Sequence, residues 1–202
     1  MEEAMAGPKK YVRDDLLDKA TALFQRHGYT ATSTSHLVEE LGVNRKSLYA
    51  EFGSKQELFE IVLQRYSDQQ LSIAFAPIEH PNAGAHEILA AFDNFASASE
   101  GPVSGLGCLV ANTAVERAAL DPGSARIVNA YLERLKLGFQ RALCNAHASG
   151  DIGTQRDLDD LAAFLVMSLL GISTLIRAKV PSEQVYAASR ITTSLLEPQV
   201  KY

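Results

Sequence analysis

The spacing of apolar side chains most constrains how this chain folds, because it has the period of an α-helix along nearly the whole length. Between Val12 and Phe24, for example, apolar residues recur every three or four positions and so form one helical stripe. We find no convincing segment in which apolar and polar residues alternate, as they do in a half-buried strand. The chain of 202 residues is therefore predicted to be all-α.

Capping residues and helix breakers divide this pattern into about nine helices. Gly28 and Gly42 are typical of helix ends, whereas Asn44 and Ser54 are typical of N-caps. The predicted helices span approximately residues 11–27, 32–41, 44–52, 54–74, 85–97, 107–119, 123–148, 157–179 and 182–196. Residues 1–9 are expected to form a disordered arm. Two prolines and a glycine between the fourth and fifth helices predict a loop.

Charge and composition indicate a protein that buries a core and does not bind nucleic acid indiscriminately. Hydrophobic residues make up 47% of the chain, and the formal net charge is −5. A local excess of positive charge occurs between residues 41 and 56, where Arg45, Lys46 and Lys55 are accompanied by Glu51 alone. A small basic face on an acidic protein favours a module that reads a nucleic-acid sequence.

The longest apolar run and the first residues favour a soluble, cytoplasmic protein without a membrane span. The run from Leu161 to Ile172 is interrupted by one polar residue, Ser168, and is shorter than the roughly 17–25 residues that a span needs. Residues 1–10 are polar and small, unlike the apolar part of a secretory signal.

The two cysteines are far apart, and in a cytosolic chain they are expected to be reduced thiols. Cys108 is expected at the N-terminus of a helix, where the helix dipole lowers the pKa of a thiol and would suit a sensor of oxidants or electrophiles. The alternative, which is more typical of a free cysteine, is a small buried apolar side chain. Cys144 has no distinctive context.

The segment from Gly28 to Leu63 carries the clearest functional pattern. Two short helices separated by a tight turn at Gly42 and Val43 would cross each other, and the buried residues of the second helix leave its polar residues on an outer face. A helix of this size fits the major groove of DNA, and its N-terminal residues reach base edges. We therefore predict a helix-turn-helix DNA-binding domain over residues 1–56.

This segment resembles the TetR (tetracycline-repressor) family in the order and spacing of several motifs. The matching motifs are Gly28-Tyr29, Thr32-Ser33, Leu41-Gly42-Val43-Asn44, Leu48-Tyr49-x-x-Phe52 and Ser54-Lys55-x-x-Leu58-Phe59. The resemblance implies a transcriptional repressor that binds a palindromic operator in double-stranded DNA as a homodimer. It also implies that a small-molecule effector releases the protein from DNA.

The candidate DNA-binding side chains combine the resemblance with the chemistry of the residues. They are Thr32, Ser33, Asn44, Arg45, Lys46, Ser47, Tyr49 and Lys55. The resemblance implies that Tyr49 and Lys55 bind phosphates and that the residues from Arg45 to Ser47 lie at or near bases. Ala50 and Glu51 depart from the family, where these positions are often aromatic or His. Glu51 would repel phosphate unless it accepts from a cytosine amine or pairs with a neighbouring cation.

Residues 57–202 are predicted to form a helical bundle for ligand binding and dimerisation. The stretch that begins with Gly107-Cys108-Leu109 resembles, more weakly, one C-terminal branch of the TetR family. A mostly apolar cavity for a small apolar or aromatic effector is predicted between the fourth and eighth helices. Its candidate residues, each of which alone is more typical of an ordinary core, are Tyr66, Phe75, Phe92, Phe95, Cys108, Leu109, Asn112, Phe139, Phe164 and Met167.

The eighth predicted helix is apolar on two faces and must therefore be covered on both. An economical arrangement places one face inside the subunit and the other, beside the last helix, against a second copy. The candidate interface residues are Leu161, Leu165, Leu169, Ile172, Val185, Ala188, Thr192 and Leu195. The resemblance implies the same two-fold interface, which suits palindromic DNA. A large monomeric core is the alternative.

Two other classes of function are weaker alternatives. An enzyme needs a nucleophile, an acid–base pair or a metal, and the sequence holds none of these in a recognisable frame. His80 and His86 with Glu79 or Glu87 would make an irregular, loop-borne metal site. A helical adaptor that does not bind DNA would leave the basic residues of the third helix without a role. We therefore predict no catalytic residue, metal or cofactor.

Overall fold

The computed structural model describes residues 12–102, 104–153 and 157–196, and within these ranges the chain forms ten α-helices and no strand. The helices are α1 (Arg13–Ala31), α2 (Thr34–Leu41), α3 (Arg45–Phe52), α4 (Lys55–Gln69), α5 (Ala76–Glu79), α6 (Ala85–Ser97), α7 (Leu109–Glu116), α8 (Pro122–Ser149), α9 (Leu158–Arg177) and α10 (Ser182–Thr193). A π-helical turn (Gln70–Ala74) continues α4, and a 3₁₀ turn (Ser194–Leu196) continues α10. The all-α prediction is confirmed.

Most helix boundaries lie close to the predicted ones because the capping residues make the expected hydrogen bonds. Asn44 Oδ1 accepts from the N–H of Ser47 at 2.9 Å, and Ser54 Oγ accepts from the N–H of Glu57 at 3.1 Å. Each bond satisfies a backbone donor that the helix itself cannot pair. Residues 1–11, which hold the expected arm and the expected start of the first helix, lie outside the described residues.

One difference from the sequence prediction is α5, a single helical turn in a segment that we expected to be a loop. Pro77 lies in its first turn, where the missing N–H costs no helical hydrogen bond. Ile78 is fully buried and packs against Gly138 of α8. Arg134 of α8 donates to both carboxylate oxygens of Glu79, at 2.5 and 2.7 Å. Contacts with α8 therefore hold a turn that the Pro-rich sequence does not indicate.

The first four helices form one packed unit. The ring of Phe24 on α1 contacts the ring of Phe59 on α4 edge to face, with 5.0 Å between their centroids. Both rings are buried, as are Leu37 of α2 and Leu48 of α3. Aromatic pairs of this geometry contribute stability beyond the apolar area that they bury. The position of α3 is thus fixed through its packing on the other three helices.

The remaining helices form a bundle in which α9 packs between α8 and α10. Among the described residues, α9 alone is long and apolar enough to cross a membrane by length and composition, with 20 residues and a mean hydropathy of 1.7. The whole helix is thus longer than the apolar run from Leu161 to Ile172, on which the expectation of no membrane span rests. Its inner face, which includes Leu165 and Leu169, is buried against this chain's own helices, which is the position of a core helix in a bundle.

Gly28 controls the path of the chain between α1 and α2. Its φ of 78° and ψ of 177° belong to a region that essentially only glycine adopts, and one further turn of α1 follows it. A Cβ on Gly28 would lie 2.5 Å from Oε2 of Glu116 on α7. This carboxylate accepts the N–H groups of Tyr29 and Thr30 at 3.1 and 2.8 Å. Gly28 is therefore required by its backbone conformation, and a Cβ there would also displace the Glu116 carboxylate from the N–H groups that it binds.

We expect Gly28→Ala to lower the free energy of unfolding by about 3 kcal/mol, because it adds backbone strain and displaces the Glu116 carboxylate from the N–H groups of Tyr29 and Thr30. Gly42→Ala is the matched control, since Gly42 has a φ of 67° but open space where the Cβ would be. Its cost should be that of the left-handed backbone alone, about 1–2 kcal/mol. Urea unfolding followed by circular dichroism measures both losses. Equal losses would contradict the role of Glu116.

Candidate nucleic-acid interface and ligand cavity

A tight turn between α2 and α3 leaves the first turn of α3 at the surface. Gly42 adopts the left-handed conformation, and its N–H donates to the carbonyl of Val38 at 3.1 Å, which ends α2. Asn44 begins α3 two residues later. Leu48 and Phe52, which are 2% and 4% exposed, hold the inner side of α3 in the core. The remaining face of the helix points to solvent, as the sequence predicts.

The outer face of α3 carries the side chains predicted to read DNA. Arg45 and Lys46 are exposed, and Ser47 is half-buried. Tyr49 is half-buried as well, and its hydroxyl lies 3.0 Å from Oγ1 of Thr34, the first residue of α2. This hydrogen bond places the Tyr49 hydroxyl beside the N-terminus of α2. Two cations, two hydroxyls and a helix N-terminus thus share one surface.

Thr32 and Ser33 are adjacent in sequence but differ in their availability. Ser33 is exposed and caps α2, and its Oγ accepts the N–H of His36 at 3.1 Å. Thr32 is fully buried, and its hydroxyl donates to the carbonyl of Gly28 at 2.6 Å. Its side chain therefore holds the connection between α1 and α2, and the predicted phosphate contact of Thr32 is wrong.

Glu51 is paired with a cation of its own chain. Its Oε1 lies 3.2 Å from Nε of Arg13 on α1, and its side chain is only 8% exposed. The same guanidinium lies 5.4 Å from the centroid of the Phe52 ring. Of the two possibilities that the sequence leaves open, the structure shows the neighbouring cation. Glu51 therefore ties α3 to α1, and Arg13 offsets its charge.

Lys55, at the start of α4, lies where the first four helices meet α7. Its Nζ is 4.0 Å from the centroid of the Tyr29 ring, and the guanidinium carbon of Arg117 is 3.6 Å from the same centroid. A ring that contacts two cations stabilises both through its negative face. Burial, and then the charge of Arg117, lower the pKa of Lys55. The side chain is only half-buried, so it also borders the surface.

A polar network continues this junction from α4 to the start of α8. Arg117 donates to the side-chain oxygen of Gln56. Nε2 of Gln56 donates to Oδ2 of Asp121 at 2.8 Å and to Oε1 of Glu60 at 2.7 Å. Asp121 also caps α8 by accepting the N–H of Ser124 at 2.8 Å. The start of α4 is therefore bonded to the helices of the bundle on both sides of the α7–α8 turn.

A cavity of about 400 Å³ lies between α1, the end of α4, α6 and α9. It is lined by Gln25, Tyr66, Gln70, Ile73, Ala74, Phe75, Pro77, Ala91, Asn94, Phe95, Ala98, Gly107, Cys108, Ser173 and Ile176. None of these side chains is charged. The volume falls in the range of small-molecule sites, roughly 300–1,000 Å³. Ile73 and Asn94 are exposed, so the cavity opens to solvent between the π turn and α6.

Comparison with known proteins identifies the family of the chain. Residues 16–62 match the family model of bacterial regulatory proteins of the tetR family, and residues 84–191 match the tetracyclin repressor-like C-terminal domain. The chain is 32% identical over 208 residues to the HTH-type transcriptional repressor ComR of Escherichia coli, covering 100% of this chain and 96% of ComR. The chain belongs to the TetR family.

Further similarities agree with this membership. The uncharacterised HTH-type regulator YezE of Bacillus subtilis is 26% identical over 183 residues, covering 90% of this chain and 94% of YezE. A cysteine mutant of the TetR family regulator CifR, solved with 26-base-pair operator DNA, superposes with a TM-score of 0.81 at 24% identity, covering 93% of this chain and 98% of that one. The TetR family consists of transcriptional regulators, so this member is a DNA-binding regulator and not an enzyme.

The structure brings together four of the ten predicted cavity residues, namely Tyr66, Phe75, Phe95 and Cys108. Three others, Phe92, Leu109 and Phe139, are buried in the core without lining the cavity, and the rings of Phe92 and Phe139 lie 6.1 Å apart. Their assignment to the cavity is therefore wrong. Helical spacing predicts that a side chain is buried, but it does not show whether an open space lies beside it.

The other three predicted cavity residues also lie elsewhere. Nδ2 of Asn112 donates to the carbonyl of Leu106 at 3.0 Å and holds the loop before α7. Phe164 and Met167 are 44% and 68% exposed on the outer side of α9, so their placement in the cavity is wrong. Sequence reasoning missed Gln25, because a polar residue beside an apolar stripe is more typical of a solvated helix face.

Cys108 lies at the N-cap position of α7, but its thiol is buried. Burial raises the pKa of this thiol, despite backbone hydrogen bonds from Ala111 and Val110 and a side-chain hydrogen bond from Tyr66. Burial likewise raises the pKa of Tyr66. The structure thus favours the small buried side chain over a reactive thiolate. Cys144 is an exposed free thiol on α8.

The two apolar faces of α9 have the opposite roles from those that the sequence predicts. Six predicted interface residues are buried in this chain's own core: Leu161, Leu165, Leu169, Ile172, Val185 and Thr192. Their assignment to an interface between two copies is therefore wrong. The prediction failed because both faces of α9 are apolar, and the sequence does not indicate which face packs against the chain's own helices. Ala188 and Leu195 are half-buried. The outer face of α9 instead carries Phe164, Met167 and Gly171.

The histidine cluster considered as a metal site does not assemble in the described residues. Nδ1 of His80 accepts the N–H of Asn82 at 3.2 Å, and Nδ1 of His86 lies 3.2 Å from Oε1 of its neighbour Glu87. The described ranges hold no group of three or more His, Cys, Asp or Glu side chains able to bind a metal ion.

We expect Glu116→Gln to weaken the junction in a pH-dependent manner. Burial raises the pKa of Glu116, but the hydrogen bonds from Thr30 and Tyr29 and the charge of Arg117 outweigh it, so the pKa lies below its ordinary 4.5. Because the pKa is lowered, the carboxylate stabilises the fold at pH values above its ordinary pKa. This contribution is lost as the pH falls through the pKa of the folded protein.

At neutral pH the substitution should cost about 1 kcal/mol, since it replaces two charge-assisted hydrogen bonds on a partly exposed group. Urea unfolding of wild type and variant at neutral pH and at about pH 3 measures this difference, which should shrink at the lower pH. A difference that is the same at both pH values would contradict the assignment.

Proposed function

We propose that this TetR-family regulator is a cytoplasmic repressor that binds a palindromic operator as a homodimer and is released by a small apolar or aromatic effector. The observation that carries the proposal is the outer face of α3, where Arg45 and Lys46 are exposed on a helix anchored by Leu48 and Phe52. Residues 1–56 would form the DNA-binding domain and residues 57–202 the domain for ligand binding and dimerisation. ComR, a relative over the whole chain, is named as a repressor.

The proposed DNA contacts follow from side-chain chemistry and position. The residues involved are Ser33, Asn44, Arg45, Lys46, Ser47, Tyr49 and Lys55. The first turn of α3 donates to guanine acceptors through its two cations. Tyr49, Lys55 and Ser33 border the surface around this turn and donate to phosphate oxygens. The N-termini of α2 and α3 add free backbone amides, which suit phosphate as well.

DNA selected from random pools by the purified protein tests this proposal, and a short palindrome is the expected result. On that site, Arg45→Ala should relax the preference at one base-pair position and cost about 1–3 kcal/mol there. Lys55→Ala should weaken binding evenly across sequences and reduce the salt slope by roughly one unit, because it removes a phosphate contact.

Mobility shifts at several salt concentrations measure both effects. The matched control is Lys136→Ala, since Lys136 lies on α8 and pairs with Asp159 at 2.9 Å, away from the proposed interface. Should Arg45→Ala and Lys55→Ala bind the selected site as wild type does, α3 is not the reading helix.

The outer face of α9 supports the proposed homodimer. Phe164, Met167 and Gly171 follow one another at the spacing of one helical stripe, and both large side chains are exposed. The space around Gly171 is open, so another helix has room to approach it closely. Ile191 of α10 is also 72% exposed. Large apolar side chains grouped at a surface are typical of an interface between proteins.

Met167→Arg should convert the dimer to a monomer, because a charge in an apolar interface is buried without a partner. Leu137→Arg is the matched control, since Leu137 is 52% exposed but belongs to α8 and not to the α9 stripe. Size-exclusion chromatography with light scattering at micromolar concentration measures the mass, and thermal melting shows that each variant is folded. A monomeric wild type would refute the homodimer.

The cavity supports the proposed control by an effector. Such a ligand lowers DNA affinity only if it binds better to the arrangement of helices that does not fit the operator. The cavity adjoins α1, the end of α4 and the start of α7. The other end of α7 carries Glu116, which binds the last turn of α1. A ligand that shifts these helices would therefore change the position of α3.

A further inference from the structure

Gln25 belongs to α1 of the proposed DNA-binding domain, yet its side chain lines the cavity. Its Nε2 donates to the carbonyl of Gly107 at 2.6 Å. Its backbone carbonyl accepts from Arg177 of α9 at 2.8 Å, and the same guanidinium nitrogen donates to the carbonyl of Leu106 at 2.8 Å. These bonds join α1, the loop before α7 and the end of α9 at one point of the cavity wall.

The side-chain oxygen of Gln25 is available to a ligand. Within the ranges that the structure describes, the amide of Gln25 makes only the bond from Nε2 to Gly107, and an amide oxygen accepts up to two hydrogen bonds. Ser173 lies in the same wall and already accepts the N–H of Cys108 at 2.8 Å. The cavity wall thus holds a few polar groups that are fixed by hydrogen bonds, and one of them, the side-chain oxygen of Gln25, has an open acceptor position.

The lining of the cavity also restricts the charge of a ligand. None of the lining residues is ionic, and the nearby Arg177 nitrogen Nη1 already donates to the carbonyls of Gln25 and Leu106, so a charged group inside the cavity would lose hydration that the wall does not replace. Apolar and aromatic side chains such as Phe75, Phe95 and Ile176 form much of the wall. The matching ligand is an uncharged molecule with an apolar or aromatic body and one N–H or O–H donor.

We propose that the effector is such an uncharged molecule and that its donor binds the side-chain oxygen of Gln25. This proposal rests on the repressor function proposed above and adds the ligand class and the residue of α1 that reads it. Because α1 and the bundle each supply part of the wall, the cavity changes shape when α1 moves relative to α9. A ligand held by both α1 and the bundle therefore has different affinities for the arrangement that fits the operator and the arrangement that does not. This difference is the condition for coupling to DNA binding.

N-phenylnaphthylamine is a suitable probe, because it is uncharged at neutral pH, carries one N–H donor and fluoresces when it leaves water. Two analogues test the donor and the charge: the N-methyl derivative lacks the donor, and anilinonaphthalene sulfonate adds a negative charge. We expect the full chain to bind the parent probe about three- to tenfold more tightly than the N-methyl derivative. The sulfonate should bind more weakly than either uncharged probe.

Gln25→Met keeps the length of the side chain but removes the amide, and it should abolish the difference between the parent and N-methyl probes. Gln64→Met makes the same substitution at an exposed residue of α4 that does not line the cavity, and it should preserve the difference. Because two probes are compared on one variant, a general change in the stability of the cavity cancels. If Gln25→Met does not fold, the wild type still decides, since equal binding of the two probes by wild type would overturn the proposal.

A saturating concentration of the parent probe should weaken binding to the selected operator for wild type and Gln64→Met, and by a smaller factor for Gln25→Met. The inference would be overturned if Gln25→Met still preferred the parent probe, or if the sulfonate bound as tightly as the parent probe. In either case, operator binding by the protein would leave the proposed repressor function intact. Conversely, a Gln25-dependent preference in a chain that selects no DNA would overturn the repressor function and leave the ligand site.

Discussion

The architecture depends on the close approach of the Glu116 carboxylate to the last turn of α1. This approach is possible because Gly28 has no side chain, and it satisfies the N–H groups of Tyr29 and Thr30 just after the kink. The next residue, Arg117, contacts the Tyr29 ring and the side chain of Gln56. The end of α7 thus holds α1 and α4 together, while its beginning at Cys108 forms part of the cavity wall. One short helix spans the distance between the two sites.

Much of the fold and of the exposed face of α3 could be predicted from the sequence, because local chemistry specifies both. Asn44 and Ser54 cap helices through their own side chains, and Gly42 supplies the left-handed turn between α2 and α3. The exposure of Arg45 and Lys46 follows from the same register that buries Leu48 and Phe52. Where a residue's role depends on its immediate neighbours in sequence, the pattern of residues is sufficient.

The remaining features depend on contacts between distant segments, which periodicity does not report. Both faces of α9 are apolar, so the sequence alone could not assign Leu165 to the core and Met167 to the surface. Thr32 and Ser33 are both hydroxyl residues before α2, and only the path of the chain at Gly28 decides which one is buried. Gln25 gains its position in the cavity wall from a loop 82 residues away.

The π-helical turn that follows α4 has a consequence for how the cavity could diverge among relatives. The N–H of Phe75 donates to the carbonyl of Gln70 at 3.0 Å, so this turn holds one residue more than a turn of α-helix. Side chains beyond the turn are therefore rotated out of phase with the apolar stripe of α4, and Phe75 enters the cavity wall. Deleting one residue here would restore the helical phase and present different side chains to a ligand, while the helices proposed to contact DNA would keep their sequence. A change in chain length at this point would thus alter the chemical signal to which a regulator responds without altering the genes that it controls.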